Sequence, residues 1–309
     1  SNGQLIVGDN TVATIADDSA NTLTGSALDD RLYGLGGADV INAGDGNDMI
    51  VTGYPTASIG NDTINGGNGF DILQFDNSSN TPPVTVNLAT HTATSLQGTL
   101  TLSSIETVFG TNQNDLFIGG DPADATDSLG NRVVERFRGL AGNDTIKGGG
   151  RDFRTIADYS SNKSNQTVIA DLHTGLVIDG LGGIDAISNV SIWAGAGNDQ
   201  LTGGSLTRGA DGIFAETFRG NAGNDVINGN NAYSDGDSAS VDRADYSGNT
   251  STQAINVNLA TGVASDGLGG TDTLIDIDLI YGGAGNDIIT GRVAAEIFDG
   301  GAGSDTING

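Results

Sequence analysis

Two copies of a nine-residue unit run end to end in Gly34-Leu-Gly-Gly-Ala-Asp-Val-Ile-Asn-Ala-Gly-Asp-Gly-Asn-Asp-Met-Ile-Val51. Each is a Gly-rich turn, then an Asp, then a variable, an aliphatic and a variable residue. Asp30, Asp39 and Asp48 stand nine apart, and Leu32, Ile41 and Ile50 each follow two residues later. Charge and core therefore arrive in fixed order, which is the mark of a stacked repeat.

Length alone, 309 residues, would suggest about two globular domains, but 50 Gly and no Cys point to the repeats instead. The formal charge of -27 removes the basic face that phosphate binding requires, so nucleic acid is excluded as a natural partner. The acid is almost all Asp; only Glu106, Glu135, Glu216 and Glu296 are Glu. Asp is short enough to fit a turn and hold a hard cation near the backbone. An aliphatic residue behind nearly every Asp argues against disorder. No apolar run approaches the roughly 18 residues of a membrane span, and the N-terminus lacks a basic-then-apolar signal segment. Without Cys there are no disulfides, thiolate metal sites or thiol nucleophiles.

Along the chain, residues 1–24 form an end cap or irregular first coil, and residues 25–309 a continuous solenoid. The nonapeptide register leaves at Thr52, through a Pro-containing loop, and returns at Gly60. A longer repeat of about 85 residues is superposed, approximately 25–119, 135–204, 216–291 and a partial 296–309. Alternating Val84, Val86 and Leu88 give strand periodicity. That passage recurs after Asp158-Tyr159 and after Asp245-Tyr246, with the tyrosines 87 residues apart. The segments starting at Glu135, Glu216 and Glu296 restart the nonapeptides and keep the aliphatic position as Ile146, Ile227 and Ile307. Stretches near 120–134, 205–215 and 230–240 are expected to be surface loops.

Glycine turns can aim carbonyl oxygens inward, and the Asp adds carboxylate oxygens. Calcium takes about six to eight oxygens at roughly 2.3–2.6 Å, and one turn supplies about half. A second turn must therefore stack on the first. Because each turn reverses the chain, units two apart share an edge: Asp30 over Asp48, Asp39 over Asp62, Asp48 over Asp71. The aliphatic residues from both edges enter a thin common core.

Gly66-Gly-Asn-Gly-Phe-Asp-Ile-Leu-Gln74 matches every fixed position of the RTX, or haemolysin-type calcium-binding, nonapeptide, and the chain resembles that family over most of its length. The resemblance implies an all-β, right-handed parallel β-roll, type I secretion, and folding outside the cell on meeting calcium. Thirteen aspartates are the expected metal ligands: Asp30, Asp39, Asp48, Asp62, Asp71, Asp115, Asp144, Asp185, Asp199, Asp225, Asp272, Asp287 and Asp305. Leu100 takes the place of Asp185 and Asp272, and Thr155 that of Asp71 and Asp242, so some half-sites are orphaned. About ten Ca2+ ions are expected, from two turns per site.

Rival motifs fail on spacing. The third Gly of a dinucleotide fingerprint and the alternating acids of an EF-hand are missing, as are His-Glu-x-x-His and Gly-x-Ser-x-Gly. His91 and His173 fall at non-equivalent repeat positions and are expected in turns, and Trp193 at an ordinary, partly buried strand position. The expected protein is not an enzyme. It is a secreted calcium-binding scaffold such as a stalk, surface layer or fibre, with possible self-association through stackable ends. The alternative is the accessory module of a larger secreted enzyme, adhesin or toxin; an ice-binding face is weaker, since no regular Thr ladder exists.

Overall fold

The computed structural model describes residues 13–15, 19–52, 60–78, 81–120, 134–149, 155–204, 215–230, 241–293 and 296–309. The loops expected near 120–134, 205–215 and 230–240, and the Pro-containing loop after Thr52, lie largely outside these. Among the described residues there are strands and turns and no helix. The chain divides into two compact units, one of residues 1–150 and 154–157, the other of 151–153 and 158–309.

In the first unit, consecutive strands alternate between two ladders. Arg31–Leu35, Met49–Thr52, Ile72–Phe75, Thr107–Phe109, Glu135–Arg138 and Thr155–Asp158 succeed one another in parallel on one side. Thr22–Thr24, Val40–Asp45, Thr63–Asn68 and Gly98–Ser103 do so on the other. The three residues after each Asp are extended, with the middle β-branched or large apolar residue pointing inward. Leu32, Ile50, Leu73, Val108 and Phe137 fall in register, each at most 1% exposed. Leu23, Ile41, Ile64 and Leu102 face them from the second ladder. Phe117 and Phe137 stack across this core with ring centroids 5.2 Å apart. This is the parallel β-roll the repeat pattern implies: each of these strands lays at least one large apolar side chain into the core, each contributing about 1.5–3 kcal/mol on burial.

The ladder reaches back before residue 25. Ala13–Ile15 pairs with Arg31–Tyr33, and Thr22–Thr24 with Val40–Asn42, so the opening segment includes coil strands.

Strict alternation is broken by an antiparallel excursion. In the first unit Thr85–Asn87, Thr92–Ser95 and Gly98–Ser103 form an antiparallel triplet inside the second ladder, so Thr63–Asn68 is followed by Gly98–Ser103 and the parallel order resumes beyond Thr85–Asn87.

The second unit repeats this plan. Ser191–Trp193, Ala215–Arg219, Val241–Asp245, Leu279–Tyr281 and Ile297–Asp299 form one parallel ladder. The other contains two antiparallel triplets, Ile169–Asp171 with Leu176–Ile178 and Ile184–Ser188, and Asn256–Asn258 with Val263–Ser265 and Thr271–Ile275. The triplets are the long repeat seen in sequence. Each needs a residue at positive φ at its first turn, filled by His91 (φ 57°), Gly175 (71°) and Gly262 (68°). His91 is thus a turn residue, and His173 lies in the equivalent turn of the second repeat, its backbone N–H donated to Asp171 Oδ1.

Candidate calcium-binding edges

Each nonapeptide Asp is delivered to the sheet edge by the turn before it and held there by the next coil. The backbone N–H of Asp30 donates to Asp48 Oδ1 (2.7 Å), that of Asp39 to Asp62 Oδ1 (2.8 Å), and that of Asp48 to Asp71 Oδ1 (2.8 Å). These are the three pairings expected from the alternation of edges. The same contact joins Asp115 to Asp144, Asp199 to Asp225, Asp225 to Asp272 and Asp287 to Asp305, at 2.8 to 3.0 Å. All thirteen predicted aspartates are buried except the half-buried Asp305.

One oxygen is thereby satisfied. The other differs from coil to coil. Oδ2 of Asp30, Asp115, Asp199 and Asp287 accepts a turn N–H, from Ser26, Thr111, Gly195 and Gly283. Oδ2 of Asp48, Asp62, Asp71 and Asp225 is buried with no hydrogen-bond partner. Burial in this state pushes the carboxyls of Asp48, Asp62 and Asp71 up to about 6 and that of Asp225 to about 8, against the backbone N–H that favours ionisation. Neighbouring carboxylates add to the rise.

The turns are as close-packed as their glycines allow. A Cβ on Gly67 (φ 109°) would lie 1.8 Å from Gly44 O, and one on Gly66 would lie 2.4 Å from Asp71 Oδ2. Carbonyl and carboxylate oxygens therefore crowd the same cradle. Among the described residues no three His, Cys, Asp or Glu side chains converge on a metal position. Carboxylates come in stacked pairs, and the remaining oxygens must be backbone carbonyls. Hard oxygen donors, flexible number and orphaned anionic oxygens fit calcium and do not fit zinc or copper.

The four glutamates are the residues that sequence reasoning left out. Register places Glu106 level with Asp71, Glu216 level with Asp242, and Asp278 level with Glu296, so glutamates occupy Asp positions of the first ladder. Glu106 accepts the N–H of Asp71 (2.8 Å), and Glu135, Glu216 and Glu296 accept those of Gly120, Gly204 and Arg292. For Glu135, Glu216 and Glu296 the signal was present in the Glu-x-Phe restart of the nonapeptides. Thr155 does fall in this column, level with Glu135, and its hydroxyl donates to Glu135. Leu100 falls level with Asp62 and is fully buried. Arg292 brings a cation into this column, bridging Asp278 (3.0 Å) and Glu296 (3.4 Å).

A second, exposed ladder explains the Asn in Gly-Asn-Asp. Asn47, Asn198, Asn224 and Asn286 accept the backbone N–H of Phe70, Asn224, Thr271 and Ser304 through Oδ1. Trp193 is half-buried on its strand, with the Arg219 guanidinium 4.1 Å above its ring.

Stacked glycine turns with paired carboxylates at the edges of parallel ladders define a calcium-type β-roll. The profile of the RTX calcium-binding nonapeptide repeat (4 copies) matches residues 15–50, 56–74, 129–152, 177–205, 212–232, 266–293 and 273–307, together more than half of the chain. The chain belongs to this family, and its repeats are calcium-binding repeats. A comparison with curated proteins finds no match.

Proposed function

We propose that this chain is an extracellular calcium-dependent scaffold whose β-roll is completed by the ions its edges hold, and that it performs no catalysis of its own. The observation that carries the reading is the set of buried, unpartnered carboxylate oxygens on Asp48, Asp62, Asp71 and Asp225. A buried ionised carboxylate without a partner is strongly unfavourable, and a divalent cation removes that penalty by binding the folded state alone. The predicted aspartates other than Asp185 and Asp272, whose Oδ2 a tyrosine hydroxyl occupies, are the residues proposed to hold it, together with Glu106, Glu135 and Glu216 of the first ladder. The chain's described strands all serve the two ladders, which supports a scaffold role. Expression of the fold where calcium is plentiful fits an acidic chain that opposes its own compaction without it.

Circular dichroism and particle size with calcium and after chelation test this. A compact β spectrum with calcium and its loss under chelator are expected, and an unchanged spectrum would overturn the calcium requirement. Long particles in calcium are expected of a scaffold; persistent monomers would assign the chain to the accessory role instead.

A further inference from the structure

The second and third long repeats carry an aspartate that lies outside the nonapeptide register, at a point where the first repeat has none. Asp179 and Asp266 open the Gly-Leu-Gly-Gly turns between the last two strands of their antiparallel triplets, and both are fully buried. Oδ1 of Asp179 accepts the N–H of Leu181, Gly182 and Gly183, and Oδ1 of Asp266 those of Leu268 and Gly270. Oδ2 of each is buried and has no partner.

The first repeat closes its own turn, one residue shorter, without a carboxylate. Strand register puts Ser95 at the equivalent place of the first repeat, where its hydroxyl accepts the N–H of Gln97 (2.9 Å). Three positions change together between repeats. Where the turn residue is Asp179 or Asp266, the nonapeptide position downstream is Asp185 or Asp272, and a tyrosine upstream is Tyr159 or Tyr246. In the first repeat the three are Ser95, Leu100 and Asn77. The tyrosines reach those downstream aspartates: Tyr159 donates its hydroxyl to Asp185 Oδ2 (2.8 Å) and Tyr246 donates to Asp272 Oδ2 (3.0 Å). With Oδ1 of Asp272 on the Asp225 N–H, its Oδ2 is held by a side-chain hydroxyl rather than a turn N–H.

Around Asp266 the other donors are in place. A Cβ on Gly270 would lie 1.7 Å from Gly223 O and 2.7 Å from Asp266 Oδ2, so these two oxygens converge on one spot. The charge of Asp266 bears on Asp225, whose own Oδ2 is buried and unpartnered. We propose that Asp266, and by repetition Asp179, is a calcium ligand that replaces the nonapeptide aspartate whose second oxygen a tyrosine has taken. Asp225 and the Gly223 carbonyl complete the ligands from this part of the chain, while Asp272 serves as a structural anchor for Tyr246. The inference rests on the calcium reading above.

Calcium bound at saturation, measured by equilibrium dialysis on the full chain, separates the possibilities. D266N keeps the Oδ1 acceptor and removes the charge; it should bind one ion fewer than the native chain, and D179N with D266N two fewer, with the β spectrum retained. D272N should keep the native count. A D266N chain with the full count, or loss of an ion in D272N but not in D266N, would overturn the proposal. D266S, which copies the first repeat, replaces D266N should the latter fail to fold. A native chain that bound no calcium would instead remove the general reading.

Discussion

An aspartate in these repeats divides the work between its two oxygens, with Oδ1 taking a backbone N–H from the coil before and Oδ2 facing the turn. Asp48 shows the consequence, since Asp48→Asn can retain the bond to the Asp30 N–H while cancelling a buried charge. The substitution should raise the melting temperature in chelator and weaken calcium binding at least about tenfold, or about 1.4 kcal/mol. Calorimetric titration and melts with and without calcium check both signs; equal losses in the two conditions would contradict the division of roles. Glycines offer a second contrast. Gly67 and Gly269 have nearly the same φ, 109° and 106°, but a Cβ meets Gly44 O at the first and nothing within 4 Å at the second. Gly269→Ala should therefore cost only the strain of a positive φ, about 1–3 kcal/mol. Gly67→Ala should cost more, since backbone must also move; chemical denaturation in calcium compares the two.

At the level of elements, the side chain two residues after each Asp is the one that enters the shared core in register with its equivalents in the coils above and below. Ile50→Ala should destabilise the calcium-loaded chain by about 2–5 kcal/mol, measured by denaturation, whereas the half-buried neighbour Met49→Ala should cost far less. The antiparallel triplets depend on a different device. Tyr246→Phe removes the one hydroxyl reaching Asp272 Oδ2 and should cost about 1–3 kcal/mol, the usual penalty for a buried acceptor left without its donor. Strand periodicity at Val84 to Leu88, and its recurrence, announced one strand and the turn of each triplet. Their antiparallel pairing did not follow, because alternation specifies which face is buried and leaves open which neighbour a strand bonds to. The glutamates were missed for a related reason. Glu is longer than Asp, and only the register with Asp71 and Asp242 shows that it reaches the same edge.

For each folded unit, stability responds to pH through the carboxylate columns. Burial raises Asp48, Asp62, Asp71 and Asp272 to about 6, Glu216 to about 7 and Asp225 to about 8, all above their ordinary values. Between about pH 4 and 8 the metal-free folded chain consequently holds more protons than the unfolded one, and its stability falls as pH rises through that window. Chelated protein should gain β structure on acidification from pH 8 to pH 5. Calcium affinity should fall over the same range, because protons compete for the same oxygens. A chelated chain that melted higher at pH 8 than at pH 5 would contradict this. Asp245 behaves oppositely: burial opposes ionisation, yet the Arg219 guanidinium 2.7 Å away holds its carboxyl below the usual range.

The nine-residue period by itself determined the ladder plan, the identity of the core residues and the pairing of Asp30 with Asp48, Asp39 with Asp62 and Asp48 with Asp71. It could do so because period and side-chain direction are local properties of a Gly turn followed by three extended residues. The tertiary structure decided what lies outside the period: the antiparallel triplets, the glutamates in the aspartate column, Arg292 between two acids, and the tyrosine hydroxyls on Asp185 and Asp272. These contacts reach as far as Asp71 with Glu106, 35 positions apart, which no local period relates. Which oxygen of a buried carboxylate is satisfied depends on that neighbour, and therefore so does the capacity to hold an ion.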